Sequence, residues 1–496
     1  MNLWRRYPTV YEINTWVWLS ELSGAQGTAL TLADVPQQEL ERLARYRFDA
    51  VWLMGVWRRS LGARQISRTN PAFREEYART LPDFTDEDIV GSPYAISDYS
   101  VDPTLGGDEG LASLRARLGE MGLRLILDFV PNHLAIDHRW VTEHPERLVQ
   151  GDAEKLELEP RNYFRAGRGE EARVLAHGRD PYFDGWPDTV QLDYRRAETR
   201  EALTETLLSV ASKCDGVRCD MAMLLTRDIF KRTWGGEFEP AGAQFWPEAI
   251  GRVKAEHPDF LFMAEVYWDM EFELQQQGFD FCYDKRLYDR LLHDDATDVR
   301  GHLHAGMDYQ SGLARFVENH DERRAQEAFG HERCPAVSAL VLTLPGLRLL
   351  HEGQLEGRST KLSVHLGRRP REPLDAEVEQ RYRRLLDALA HEVFHEGDWR
   401  QIEPREAWGD NQSHRNFVVS LWSSGEELRL VTVNFSNERA QCYLTLDVPD
   451  LAGRFWLLDD QLSDAHYLRD GDALVSSGLY LDVPAYGHHL FEITPQ

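Results

Sequence analysis

The sequence predicts an α/β chain: a closed (β/α)8 TIM barrel, a small domain inserted after strand three, and a C-terminal antiparallel β-sandwich domain. Over roughly the first 390 residues, short apolar runs alternate with amphipathic helical stretches, the pattern of a parallel sheet wrapped by helices. Eight such runs favour a closed barrel over an open sheet. Beyond about residue 395 the helical period gives way to β-rich segments with Gly, Asn and Asp between them.

In chain order the predicted barrel strands are Thr9–Asn14, Asp49–Met54, Arg124–Val130, Gly216–Asp220, Phe260–Val266, Phe279–Tyr283, Gly312–Val317 and Leu347–His351. Helical periodicity falls between them at Pro36–Tyr46, Gly107–Met121, Glu198–Ser212, Phe245–Glu256 and Asp321–Phe329, with a last helix near Asp375–Phe394. Pro36 suits a first helical position, with Asp34 nearby as a cap. Two connections are too long for ordinary loops: Gly55 to Ser97 and His133 to Asp193. The second reads as the inserted domain. The expected division is 1–133 with 194–395 for the barrel, 134–193 for the insert and 396–496 for the β-sandwich.

With 83 acidic and 56 basic side chains, the formal charge of −27 repels nucleic acid and anionic membranes and suits neutral, hydroxyl-rich substrates. Met1 to Pro8 is polar and lacks the apolar core of a secretion signal, so a cytoplasmic chain is expected, with no membrane or nucleic-acid partner. The five cysteines have no CxxC or CxxH spacing and read as small buried hydrophobes.

Four acidic segments end apolar runs: Asp128 to His133, Arg218-Cys219-Asp220, Ala264-Glu265-Val266 and Asn319-His320-Asp321. The C-terminal ends of barrel strands are where such enzymes build their sites. Strand periodicity puts Arg218 and Asp220 on one side, where a guanidinium favours and orients an ionised carboxylate. A structural Arg–Asp pair is the competing reading of that segment alone. Glu265 has apolar neighbours, the surroundings expected to keep a proton available for a leaving oxygen. Several carboxyls delivered to one cavity is the arrangement that glycosidic bond cleavage needs. Tyr94, at the end of the first long loop, is placed to stack on a sugar face, with Asp98 as the loop's structural support. Trp16, Trp18 and Trp57 are candidates for further sugar subsites.

Metal readings compete for some of these residues. Carboxylates with Asn132 suit calcium or magnesium, although Arg218 opposes a cation beside Asp220. His391-Glu392-Val393-Phe394-His395 matches HExxH, which on a helix puts both histidines on one face, but no third ligand is identifiable. Arg58, Arg59, Arg64 and Arg68 form either a solvated face or a local site for phosphate or a phosphorylated sugar. No GxSxG elbow is present.

Together these segments resemble the α-amylase family (glycoside hydrolase family 13) of retaining α-glycosidases and transglycosidases. Asp128–His133, Gly216–Asp220, Glu265 and Phe316–Asp321 match its four characteristic regions in order, and Thr189–Asp193 is similar to its short motif near the end of the inserted domain. The resemblance implies that Asp220 is the nucleophile, Glu265 the general acid/base and Asp321 the transition-state stabiliser. It further implies that Arg218 orients Asp220, and that Tyr94, Asp128, His133 and His320 serve the innermost sugar subsite.

An α-linked oligosaccharide or glucoside is the implied substrate, probed most directly with α-glucans and maltooligosaccharides. Water or a sugar acceptor then intercepts the covalent intermediate, and sucrose or trehalose chemistry stays open. A non-catalytic carbohydrate-binding protein is the distant alternative. No cofactor is implied for the chemistry. Many members carry a structural calcium, towards which Asn132 would be one ligand. Where many members have lysine and histidine after the nucleophile, this chain has Met223 and Leu224, which points to an unusual acceptor side and departs from standard calcium binding.

Overall fold

The computed structural model, which describes residues 4–167, 169 and 172–496, closes eight parallel strands into a barrel. They are β1 (Thr9–Asn14), β2 (Ala50–Met54), β3 (Arg124–Phe129), β4 (Gly216–Cys219), β5 (Leu261–Ala264), β6 (Phe281–Tyr283), β7 (Leu313–Arg315) and β8 (Leu347–His351). Each pairs with its sequence neighbours, and β8 returns to β1. The strands are apolar along nearly their whole length because helices cover one face and the barrel core the other. Buried charged residues within them, Glu12, Asp128, Arg218, Arg315 and Arg348, are therefore conspicuous exceptions. Register sets Arg218 between Asp128 of β3 and Met263 of β5.

The helical periods hold with small shifts. Pro36 becomes the cap of helix Gln37–Arg45 rather than its first residue, and Asp34 instead bonds the Thr31 amide at 3.0 Å. The helix expected from Asp321 starts only at Ala325. Asn319 Oδ1 accepts from the Asp321 and Glu322 amides at 2.9 Å each, a local turn that competes with the helix and leaves Asp321 on a loop facing the site.

The long connection after β2 contains two helices, Leu61–Thr69 capped by Ser60 and Pro71–Thr80 capped by Asn70. It packs against the connection after β8. Tyr77, Leu81, Ile89 and Leu366 form a small apolar core of their own. The Val90 amide donates to His365 O at 2.9 Å, the Gly367 amide to Asp88 O at 2.8 Å, and Arg368 forks onto Asp88. After β3, His133–Ala135 pairs antiparallel with Thr189–Gln191, and Tyr163–Ala166 with Arg173–Ala176, which gives the inserted small domain.

The C-terminal domain adds β9 (Asp398–Gln401), β10 (Phe417–Ser424), β11 (Glu427–Asn434), β12 (Ala440–Leu444), β13 (Phe455–Asp460), β14 (His466–Asp470), β15 (Leu479–Val483) and β16 (His488–Pro495). A six-stranded sheet ordered β9-β10-β11-β16-β13-β14 faces the β12-β15 pair across a separate apolar core. Trp422 of β10 joins this domain to the barrel. Its indole N–H donates to Thr343 O at 2.7 Å, and its ring meets Tyr7 and Phe394 edge-on.

The HExxH residues do not share a helical face, because the helix Ala376–Leu389 ends before them. The ring nitrogens of His395 lie 2.9 Å from Tyr7 O and 3.0 Å from Leu389 O, while His391 faces Glu427 at 3.7 Å. All five cysteines are free and buried, as expected of small hydrophobes. No helix among the described residues is long and apolar enough to cross a membrane.

Replacing Trp422 by alanine removes a fully buried indole and is expected to cost about 3–5 kcal/mol. Calorimetry should show a lowered or split unfolding transition, whereas an unchanged melt would disprove the coupling of the two domains through this residue.

Candidate active site

Asp220 follows β4 directly and Glu265 follows β5 directly, while Asp321 lies on the loop beyond β7. All three line one cavity of about 370 Å3 at the C-terminal end of the barrel. Arg218 holds them together from below, with no solvent exposure of its own. Its Nη1 lies 2.7 Å from Asp220 Oδ1 and its Nη2 2.9 Å from Glu265 Oε2, with Asp321 Oδ2 at 3.8 Å. The guanidinium carbon sits 5.3–5.7 Å from the ring centres of Tyr94, Trp52 and Tyr283. Aromatic faces help offset the cost of burying a cation.

Glu265 differs from the sequence expectation. Its strand neighbours are apolar, but its carboxyl is held by polar groups. Oε2 also accepts from the Met221 amide at 2.6 Å, and Oε1 accepts from the Tyr267 hydroxyl at 2.8 Å. Met221 reaches that position by adopting a left-handed backbone with φ of 43°, an uncommon conformation for a non-glycine residue and one found at functional turns. Strand propensity describes backbone neighbours, whereas the carboxyl looks across to the turn after β4.

Electrostatics divide the acids. Burial first, then the Glu265 charge, push Asp220 up to about 7 against the pull of Arg218. Asp321, 42% exposed at its side chain, goes the other way. Partial burial opposes ionisation, but the His320 imidazolium and Arg218 hold Asp321 well below the usual carboxylate range.

His320 in turn is clamped by Glu12, whose Oε1 lies 2.5 Å from Nδ1, and by Asp321, 3.0 Å from Nε2. Burial lowers its pKa, yet the two acids outweigh this and raise it to about 10. The Tyr94 hydroxyl lies 2.6 Å from the same Nε2. Glu12 escaped the sequence reading, although a charge inside the apolar run Val10-Tyr11-Glu12-Ile13 was the available signal.

The other expected residues separate into wall and support. Tyr94 and His133 line the cavity. Burial lowers His133 to about 4, so its imidazole is neutral at physiological pH. Asp128 does not line the cavity and corrects the expectation of sugar contact. It is wholly buried, with Oδ1 accepting from the Trp52 indole at 3.1 Å and Oδ2 from the Gly55 amide at 2.8 Å. Register explains this, since Asp128 lies inside β3 rather than beyond its end. Arg218 and His320 likewise stand behind the lining residues. Asp98 accepts from the Ser100 amide at 2.7 Å and supports its own strand.

Trp16, Trp18 and Trp57 are also absent from the cavity wall. Their indoles donate to Gly55 O, Glu39 and Asp128 O. Met223 and Leu224 are buried in the core, so neither touches an acceptor, and Met221 takes the place expected of them at the wall. Trp186, Asp188, Tyr267, Phe73 and His365 line the cavity without having been singled out in sequence. All but Tyr267, which follows Glu265 by two residues, sit on long connections where period carries no information.

Asn132, expected as one ligand of a structural calcium, is engaged by protein neighbours. Its amide is clasped by Gln191, with Gln191 Nε2 donating to Asn132 Oδ1 at 3.1 Å and Asn132 Nδ2 to Gln191 Oε1 at 3.3 Å. Asp193, two residues further on, forks with Arg195 at 2.7 and 2.8 Å. Hard cations need several free oxygens. No group of three or more His, Cys, Asp or Glu among the described residues is placed to hold a metal. Nor do the arginines of the first long loop converge. Arg64 Nε donates to Ile89 O and Arg68 Nη2 to Asp86 O, each at 2.7 Å, while Arg59 turns inward over Trp16 and Arg58 outward.

At the C-terminal end of the parallel eightfold barrel, three acids gather around one buried guanidinium. The description "Alpha amylase, catalytic domain" matches residues 38–384, and the chain belongs to the α-amylase family. Among characterised relatives, Maltase 1 of Drosophila virilis is 26% identical over 319 residues, covering 54% of this chain and 50% of that protein. The chain spans about half or less of the length of the first curated relatives it matches: 50%, 32% and 53%. The fold is similar to that of a maltogenic alpha-amylase from Thermotoga neapolitana, with a TM-score of 0.68, 19% identity and full coverage of both chains. An alpha-amylase from Lactobacillus plantarum gives the same TM-score at 20% identity, covering 98% of this chain and 99% of that one.

Glu12→Gln should move the His320 titration, followed by NMR, down from about 10 towards the ordinary histidine range. Pairing of this raised imidazolium is complete at neutral pH in the native protein and is lost only as pH rises through that value. An unmoved titration would show that Glu12 does not charge His320.

Proposed function

We propose that this chain is a retaining α-glycosidase acting on α-linked glucosides, with maltooligosaccharides as the favoured class, through a covalent glycosyl-enzyme. Asp220 attacks the anomeric carbon while Glu265 protonates the departing oxygen. Glu265 then takes a proton from water, which releases the sugar with its α configuration retained. Asp321 stabilises the oxocarbenium-like transition state with a full negative charge kept by His320. Tyr94 and His133 contact the sugar held in the cavity.

The observation that carries this reading is the sharing of one guanidinium by Asp220 and Glu265, at 2.7 and 2.9 Å. Carboxyls on adjacent nitrogens of a single Arg side chain stand close together. That supports the about 5–5.5 Å spacing of retaining enzymes over the about 6.5–9.5 Å that leaves room for an inverting water. The position of Asp220 beside a fixed cation suits a nucleophile whose ionised form must be available at neutral pH.

The cavity's size supports a small substrate unit. Its volume of about 370 Å3 is near the low end of ligand pockets, about 300–1,000 Å3. One side is walled by the packed connections after β2 and β8, with Phe73 and His365 at the lining. This favours action on the end of a short chain over binding across the middle of a long one. The relative named Maltase 1 agrees with such a preference. Transfer to a sugar acceptor is the same chemistry with a different second nucleophile.

Proton NMR of maltooligosaccharide cleavage should show α-anomeric product first, and β product would overturn the mechanism. Asp220→Asn should lower kcat by roughly a thousandfold or more and abolish trapping of a covalent intermediate. Because Asp220 is raised to about 7, its ionised form is lost as pH falls through that value. The kcat/KM profile should therefore decline on its acid side, approaching about tenfold per pH unit. A profile flat from pH 7 down to 5 would remove Asp220 as the ionised nucleophile.

A further inference from the structure

The cavity contains a fourth carboxyl that the two-step chemistry does not use. Asp188 lies on the inserted domain between Trp186-Pro187 and the strand Thr189–Gln191, and it lines the same cavity as Asp220 and Glu265. It is 7% exposed. No cation pairs with it and no other residue's side chain or amide bonds its carboxyl among the described residues; only its own backbone N–H approaches it. Its carboxyl oxygens, unpartnered by other described residues, open onto the cavity rather than into sealed core. Burial raises its pKa to about 6, which leaves it largely ionised at neutral pH.

Its surroundings define what it meets. The His133 ring lies 5.0 Å from Trp186 across the insert, and His365 packs on Phe73 at 4.8 Å on the opposite wall. Both imidazoles are held neutral by burial, each lowered to about 4. Neither supplies a counter-charge. Asp188 therefore presents acceptor oxygens into a space bounded by aromatic rings and neutral imidazoles, the environment in which a neutral polyhydroxylated ring is bound by stacking and charge-assisted hydrogen bonds.

Resting on the α-glycosidase reading above, we infer that Asp188 is a specificity-determining residue that accepts a hydrogen bond from a ring or hydroxymethyl hydroxyl of the sugar unit in the cavity. The carboxyl takes no part in bond breaking. It selects sugars that carry a donor hydroxyl at the position facing the insert, and it disfavours those that lack one because such a sugar displaces water from the carboxylate without replacing its hydrogen bond. Asp220, Glu265 and Asp321 are fixed by barrel strands and the loop beyond β7. Asp188 rides on the inserted domain, so the choice of sugar is carried by a different part of the chain from the chemistry.

The test compares the native protein, Asp188→Asn and Asp188→Ala on 4-nitrophenyl α-glucoside and its monodeoxy analogues, with thermal melts to verify folding. In the native protein one deoxy analogue should lose about ten- to hundredfold in kcat/KM, the worth of a hydrogen bond to a charged group. In Asp188→Ala that selective penalty should shrink to about twofold or less, while the parent glucoside falls to near the level of the analogue. Asp188→Asn, which keeps an acceptor oxygen, should lie between. An undiminished penalty in Asp188→Ala, or native activity on every substrate, would overturn the assignment. Should the native protein cleave no α-glucoside, the glycosidase reading fails on its own. Calorimetric titration with methyl α-glucoside then decides for Asp188: weaker binding by the alanine variant supports its role, and equal binding, or none by either protein, overturns it.

Discussion

Arg218 is the constraint on which the catalytic end of this barrel depends. A guanidinium without water around it costs several kcal/mol unless its charge is compensated. Here two carboxyls meet adjacent nitrogens, a third stands within 4 Å, and three aromatic rings cover the faces. The match works in both directions. The cation needs the acids to remain buried, and the acids need the cation to stand so close to one another. Spacing between Asp220 and Glu265 is thus set by the width of one side chain rather than by loop geometry.

Around that centre charges alternate outward. Glu12, His320 and Asp321 form a chain in which the imidazole is charged because acids flank it, and Asp321 stays ionised because the imidazole is charged. Asp128 plays a quieter part, tying β3 to β2 through Trp52 and the Gly55 amide, beside Arg218 on the neighbouring strand. The site is therefore a layered arrangement, with Asp128 and Arg218 inside the barrel, Asp220 and Glu265 one residue beyond its strands, and Asp321 on the loop after β7. This layering separates what must stay fixed from what touches substrate.

The barrel, the insert and the β-sandwich were legible because apolar runs and helical periods report burial directly. The three central acids were legible because each ends such a run. Periodicity did not reveal how side chains turn once the strand stops. Asp128 sits inside its strand and was credited with sugar contact it does not make. Glu265 was given an apolar environment from its neighbours in sequence, whereas its carboxyl reaches the Met221 amide and the Tyr267 hydroxyl. The aromatic wall went unread for the same reason: Trp186, Phe73 and His365 lie on long connections brought together only by the tertiary fold. Glu12 was the one omission with a visible sign, a charge within a run of buried residues.

The small apolar core shared by Tyr77, Leu81, Ile89 and Leu366 has a consequence for the order in which the protein becomes competent. One half of the wall is made early in synthesis, the other almost three hundred residues later. All three acids have left the ribosome before the second half exists. A nascent chain can therefore carry every reacting group while its pocket still lacks a side, and shape arrives after chemistry. Interrupting translation, or proteolytic nicking between β8 and Leu366, leaves an acid-lined barrel mouth open to water instead of a sugar-sized enclosure.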